Sequence, residues 1–170
     1  LLRIEMARVS SDQFSKLMQV IWQRTGDEFM GMGPRRARSG TFATMCALVV
    51  GCQTLEEVYQ QAFRFSRLFE PMVSMELEIF GDRARLVTRI EGSIHDPDYF
   101  LRESILVIWH RLGSWLIGQP VELEKAEFDY PRPDHGDEYR HIFHCPLAFE
   151  SDCTALTFSK RFLSAPVIRD

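Results

Sequence analysis

The sequence has no surplus of positive charge, no paired cysteines and no apolar run of membrane-spanning length. Each absence removes a class of function. Its 20 Lys and Arg are outnumbered by 24 Asp and Glu, for a formal net charge of −4 over 170 residues. A nucleic-acid binder needs a basic face to neutralise phosphate. Here most cations are interspersed with acids, the main exception being the short cluster Arg35, Arg36 and Arg38. Contact with DNA is therefore not expected from this region itself. The most apolar stretch, 42–52, is too short to cross a bilayer. No signal peptide precedes the first polar segment, although the sequence opens on Leu1, and a cytoplasmic location is expected. Cys46, Cys52, Cys145 and Cys153 form no CxxC pair and read as reduced, mostly structural thiols.

Catalytic signatures are missing too. There is no GxSxG or HExxH, and Gly31-Met32-Gly33 lacks the third glycine and the preceding strand of a phosphate-binding loop. No catalytic residue and no cofactor are expected. The acid pairs Glu56-Glu57 and Asp137-Glu138 sit at helix starts, where negative charge complements the helix dipole. Pairing Cys46 with His110 as nucleophile and base has no sequence support, and the apolar setting of Cys46 disfavours a thiolate. His141, His144 and Cys145 have ligand chemistry for zinc. The plainer reading makes them the end of an amphipathic helix with Phe143 and Cys145 turned inward, and a metal sensor stands as the alternative.

The chain is long enough for one domain with a proper core. Residues 12–25 carry Phe14, Leu17, Met18, Ile21 and Trp22 at helical spacing, stopping near Gly26. The Gly- and Arg-rich stretch 31–40 reads as a loop. Residues 42–51 are apolar almost all round and predict a buried central helix. Thr54 and Glu57 have capping-box spacing, and the following helix carries Leu55, Val58, Tyr59, Ala62, Phe65 and Phe69 before Pro71.

The clearest local feature is a hairpin at 73–90. Val73, Met75, Leu77 and Ile79 alternate with polar residues, and so do Ala84, Leu86, Thr88 and Ile90. A Gly81-Asp82 turn sets Ile79 opposite Ala84, Leu77 opposite Leu86, Val73 opposite Ile90, and Glu78 opposite Arg85 on the outer face. Asp96-Pro97 predicts a cap and first turn. The helix after it has a stripe of Leu101, Ile105, Ile108, Leu112 and Leu116 and stops by Gly118 and Pro120. An extended segment at 121–129, a short helix at 137–143 and a short strand at 155–158 complete the chain. The mixture is α+β: one domain of amphipathic helices packed on a small, mainly antiparallel sheet.

Two features are candidate ligand determinants. Cations just before a helix N-terminus are unfavourable to that helix, so the arginines invite an anionic effector, an acidic side chain or another domain. Aromatic and Met side chains along the helices suit an apolar pocket as well as a core. The candidate effector-binding residues are Arg36, Arg38, Phe42, Met45 and Trp109.

At 38–69 the pattern becomes specific. Arg38-Ser-Gly-Thr-Phe-Ala-Thr-Met-Cys46, then Cys52-Gln-Thr-Leu-Glu-Glu57 and Phe63-Arg-Phe65, form one block. Phe128-Asp-Tyr-Pro-Arg-Pro133, Tyr139, Phe143-His-Cys-Pro-Leu-Ala-Phe149, Ala155-Leu-Thr-Phe158 and Leu163-Ser-Ala-Pro166 form a second, in order. Together they resemble the N-terminal, arabinose-binding-like region of AraC-type transcription regulators, the group that includes ornithine-responsive regulators. Two positions depart from that pattern: Ala155 replaces a usual Asn, and Val58 a common small Ala. The resemblance implies a bacterial effector-sensing and homodimerising domain spanning 1–170, with a small-molecule partner. DNA would be bound only through a C-terminal helix-turn-helix domain absent from this sequence. An effector-free dimerisation scaffold is the other reading left open.

Overall fold

The structure is a computed structural model and describes residues 9–68, 72–92 and 94–168. Helices α1 (Ser11–Thr25), α2 (Thr41–Val49) and α3 (Leu55–Arg67) precede the hairpin strands β1 (Val73–Phe80) and β2 (Arg83–Ile90). Then come α4 (Phe100–Leu116), β3 (Leu123–Glu127), α5 (Tyr139–Phe143), β4 (Leu147–Ala148) and β5 (Thr154–Ser159). The strands form one five-stranded sheet in the order β1-β2-β5-β3-β4. Every pairing is antiparallel except β3 with β4. This is the expected α+β domain.

The hairpin has the predicted register throughout, including Val73 with Ile90, Leu77 with Leu86, Ile79 with Ala84 and Glu78 with Arg85. Helix α1 also forms where its spacing placed it. Ser10 accepts from the Gln13 N–H, the Gln13 side chain accepts from Ser10 N–H, and left-handed Gly26 closes the far end onto the Trp22 carbonyl. At α3 the Thr54 side chain accepts from Glu57 N–H as a cap should. The Glu57 carboxylate, however, takes the Gln53 N–H at 2.7 Å rather than that of Thr54. Phe63 joins the buried side of α3, whereas Phe65 is only half-buried. Phe69 and Pro71 lie outside the described residues.

Three expectations need correction. Helix α2 is not buried all round: Met45 and Val49 face the core, while Phe42 is 40%, Leu48 46% and Val50 57% exposed. Uniform apolarity carries no phase, so it cannot say which stripe a helix will bury. Helix α4 buries a wider stripe than predicted and leaves Ile108 out of it. Leu106, Trp109 and Gly113 are buried with Leu101, Ile105 and Leu116, and Ile108 is 44% exposed. Finally, Pro97 begins a 3₁₀ turn ending at Tyr99, not the helix itself, and Asp98 and Tyr99 are left-handed. Asp96 nevertheless caps α4 across this jog, accepting from Leu101 N–H at 2.7 Å.

The core has two parts, and α4 contributes to both. One packs α3 against the sheet and α4, with Tyr59, Phe63, Leu86, Trp109 and Phe158 among its members. Tyr59 stacks on Phe63 at 5.8 Å, and Phe63 meets Trp109 edge-on at 5.0 Å. The other gathers Leu106, Phe128, Tyr130, Tyr139, Phe143 and Leu156.

Helices α3 and α4 can meet closely only because residue 113 has no side chain. A Cβ there would overlap the Tyr59 hydroxyl and come within 3.1 Å of its ring carbon Cζ. Gly113→Ala should therefore cost about 1–2 kcal/mol in denaturant unfolding, overpacking of ~1–3 kcal/mol being partly offset by alanine's helix propensity. In a Tyr59→Phe background the penalty should shrink, because the overlapping oxygen is gone. Equal penalties in both backgrounds would refute this contact as the cause.

Candidate functional site

The loop leading to α2 is built on two acids. Asp27 is 1% exposed. Its carboxylate accepts from the backbone N–H groups of Phe29 (3.0 Å), Gly31 (2.8 Å) and Ala37 (2.8 Å). Glu28 accepts from Gly40 N–H at 2.8 Å and Phe42 N–H at 3.0 Å. Gly40, the residue preceding α2, supplies no side-chain cap, so Glu28 satisfies the helix's free donors from outside. It is the negative charge that a helix start favours.

The five candidate effector residues do not converge. Met45 and Trp109 are members of the same core cluster, Trp109 held against Tyr59 and Phe63. Arg36 and Arg38 are exposed on the loop and Phe42 on α2.

The histidine and cysteine candidates lie in and just beyond α5. His144 has a left-handed backbone just beyond α5 and is exposed with His141. Burial pushes the Cys145 thiol up to about 11, with a hydrogen bond from the Ala126 backbone lowering it only in part. Among the described residues, no group of three or more His, Cys, Asp or Glu is placed to hold a metal ion.

Sequence reasoning missed two polar constellations. In the second core, the Tyr130 and Tyr139 hydroxyls meet at 3.1 Å. Tyr139 donates to Glu103 Oε1, which His135 Nε2 also meets at 2.7 Å. This chain of polar groups ties the start of α4 to the 130–139 segment inside an aromatic surround. Burial raises the pKa of both tyrosines, so they remain neutral hydrogen-bonding groups.

The other constellation occupies the sheet face opposite the core. A depression of about 440 Å³ is lined there by Arg83, Arg85, Glu124, Lys125, Glu127, Thr157, Phe80 and Pro146. Strand alternation sends Arg83 and Arg85 outward while Ala84 and Leu86 face the core. On β3 the register shifts between Leu123 and Lys125. The shift lets consecutive Glu124 and Lys125 both line the depression, as a bulge does when it re-aims side chains.

Charges of both signs interlock across this face. Arg83 Nε lies 2.7 Å from Glu124, Arg85 Nη2 2.9 Å from Glu127, and Lys125 Nζ 2.9 Å from the other Glu127 oxygen. Burial works to raise the Glu127 pKa, but the Lys125 hydrogen bond and the charges of Arg85 and Lys125 outweigh it, and the net shift is downward. Arg85 is also 3.7 Å from Glu78 and 3.2 Å from Cys153 Sγ. Its Nε is buried with no hydrogen-bond partner among the described residues. The only sequence signal for this site was the Glu78–Arg85 cross-strand pairing.

His110 is engaged structurally. Its Nε2 meets the Val121 carbonyl at 2.7 Å, so this nitrogen carries the proton. Burial lowers its pKa from 6.5, opposed by the Val121 hydrogen bond and aided by Arg111 and His144. The unfolded chain then binds the proton more readily. Stability from this group is complete above about pH 6.5 and is lost as pH falls through the lower folded value. His110→Gln should flatten the fall in melting temperature between pH 6.5 and 5.5. An unchanged slope would exclude His110 as its source.

Comparison with known proteins places the chain in a family. Residues 1–167 match the arabinose-binding domain of AraC transcription regulators, N-terminal. The ornithine utilization regulator of Pseudomonas aeruginosa is 23% identical over 119 residues, covering 70% of this chain and 35% of that protein. The crystal structure of the transcriptional regulator CdpR from Pseudomonas aeruginosa superposes with a TM-score of 0.60 at 12% identity. That match covers 95% of this chain and 59% of the CdpR chain, so the fold is shared. The chain thus spans about a third and under two thirds of these two proteins, both named as regulators. With the family pattern matched across nearly its whole length, the chain belongs to the arabinose-binding domain family of AraC transcription regulators.

Proposed function

We propose that this chain senses a small molecule and forms homodimers within a bacterial transcription regulator, working in the cytoplasm where the DNA is. DNA would be bound by another domain of the full protein. The observation carrying this reading is the family match over residues 1–167. Two copies of a regulator held together read two half-sites jointly. An effector that prefers one arrangement of the domain shifts the DNA-binding equilibrium by its difference in affinity.

The surface supports the pairing half of the proposal. No residue of α1 is buried, and Phe14, Leu17 and Val20 on it are exposed, as are Leu48 on α2 and Val50 just after it. Apolar surface of this kind marks association sites when it is contiguous. Catalysis has no part in this reading, and the named relatives are regulators.

Sedimentation of the chain should show a dimer, and Leu17→Glu should shift it toward monomer. A melting-temperature screen of amino acids, polyamines, sugars and fatty acids tests sensing. Amino acids and polyamines head the panel because one relative is named for ornithine utilization. A ligand present at 100 times its Kd adds about 2.7 kcal/mol of stability. Absence of any shift, with the dimer intact, would favour the effector-free scaffold.

A further inference from the structure

We propose that the depression on the outer sheet face is the effector seat, and that its ligand is a small zwitterion bearing a carboxylate and an ammonium group. The proposal rests on the sensing reading above and adds a place and a chemistry to it.

Charge balance carries the argument. Three cations, Arg83, Arg85 and Lys125, line the same depression as two carboxylates, Glu124 and Glu127, and Glu78, 3.7 Å from Arg85, makes the two signs equal in number. The lining charges are already paired at 2.7–2.9 Å. A purely anionic ligand would draw the cations away and strand the glutamates beside its own charge. A diamine would do the reverse. A zwitterion exchanges both halves of an ion pair at once, its carboxylate meeting the guanidinium and ammonium groups and its ammonium meeting the glutamates. No charge is left without a counterpart, which is what a partly desolvated site demands.

Exchange is also inexpensive at the rim. The Arg83–Glu124 pair is well exposed, with side chains 56% and 39% accessible, and such pairs hold weakly. Deeper in, Arg85 has an Nε–H that is buried and meets no acceptor among the described residues. A ligand carboxylate that takes the place of Glu127 at Nη2 keeps a charge-assisted hydrogen bond there. Phe80 and Pro146 give the depression an apolar wall for the ligand's carbon frame, and about 440 Å³ is ample for a small molecule. The bulge that turns Glu124 and Lys125 to the same side brings the two signs together on adjacent residues.

A matched six-carbon set tests this. Isotope-labelled protein would be titrated with L-norleucine, 6-aminohexanoate, hexanoate and hexylamine while amide resonances are followed by NMR. At least one of the two zwitterions should move the resonances of Arg83, Lys125 and Thr157. Hexanoate and hexylamine should bind at least tenfold more weakly. Lys125→Gln and Glu124→Gln, both at exposed positions, should each weaken the zwitterion at least tenfold while leaving the rest of the spectrum unchanged. Hexanoate binding as tightly as the zwitterions would overturn the ligand class. Any effector moving residues 36–45 instead of the sheet would overturn the seat and leave sensing intact. If nothing in this set or the broader panel binds, both the seat and the sensing reading fall.

Discussion

The meeting of Tyr59 with α4 at Gly113 is the contact on which the rest of the packing depends. A large ring can enter there because residue 113 offers only backbone. Tyr59 is 1% exposed and its hydroxyl donates to the Trp109 carbonyl at 3.5 Å. Seated there, it stacks with Phe63 and turns Trp109 inward. The same placement fixes the rotation of α4, which brings Leu106 to the other side and into the second core. One helix thereby serves two hydrophobic clusters. A rotation large enough to bury Ile108 would remove side chains from both.

The outer sheet face follows a different logic. Its exposed ion pairs contribute little to stability, about 0–1 kcal/mol each, so they do not explain why so many charges gather there. Arg85 is the exception in burial, its side chain 22% exposed and that of Glu127 14%. Removing charges from water costs more than a pairing of this kind returns unless the geometry is very good. An arginine with one donor unmatched among the described residues is therefore a poor stabilising device.

Much of the fold was legible because its signals are local. Strict alternation and a two-residue Gly-Asp turn fix a hairpin register, since a slip by one residue would put Leu77 and Leu86 on the wrong face. Ser10, Gln13 and Gly26 bound α1 by chemistry within one turn of each end. What escaped is nonlocal. Glu28 caps a helix that begins more than a turn's reach away in sequence, closing a loop that Asp27 shapes from its centre. Nothing in the spacing of residues 42–51 reveals that one side of α2 is left uncovered. The candidate seat draws on β1, β2, β3, β5 and Pro146, and its two signs of charge meet only after the order β1-β2-β5-β3-β4 is known. The core aromatics were visible as residues but not as neighbours, so Trp109 could be offered for a pocket when its place is beside Tyr59.

If the proposed seat is used, binding on one surface must be converted into a change at another, and the connection is short. Arg85 and Leu86 are consecutive on β2; one lines the depression and the other lies in the core against which α3 packs. Helix α3 in turn carries α2, whose outer side is apolar and exposed. Close-packed interiors do not deform smoothly, so a small tilt of β2 is relieved by discrete repacking. A ligand that draws Arg85 away from Glu127 would alter the outer load on β2 while its inner residues remain fixed in the core. If α1 and α2 form the dimer face, the ligand's preference for one sheet geometry becomes a preference for one dimer geometry. The strength of that coupling is bounded by the ligand's difference in affinity for the two.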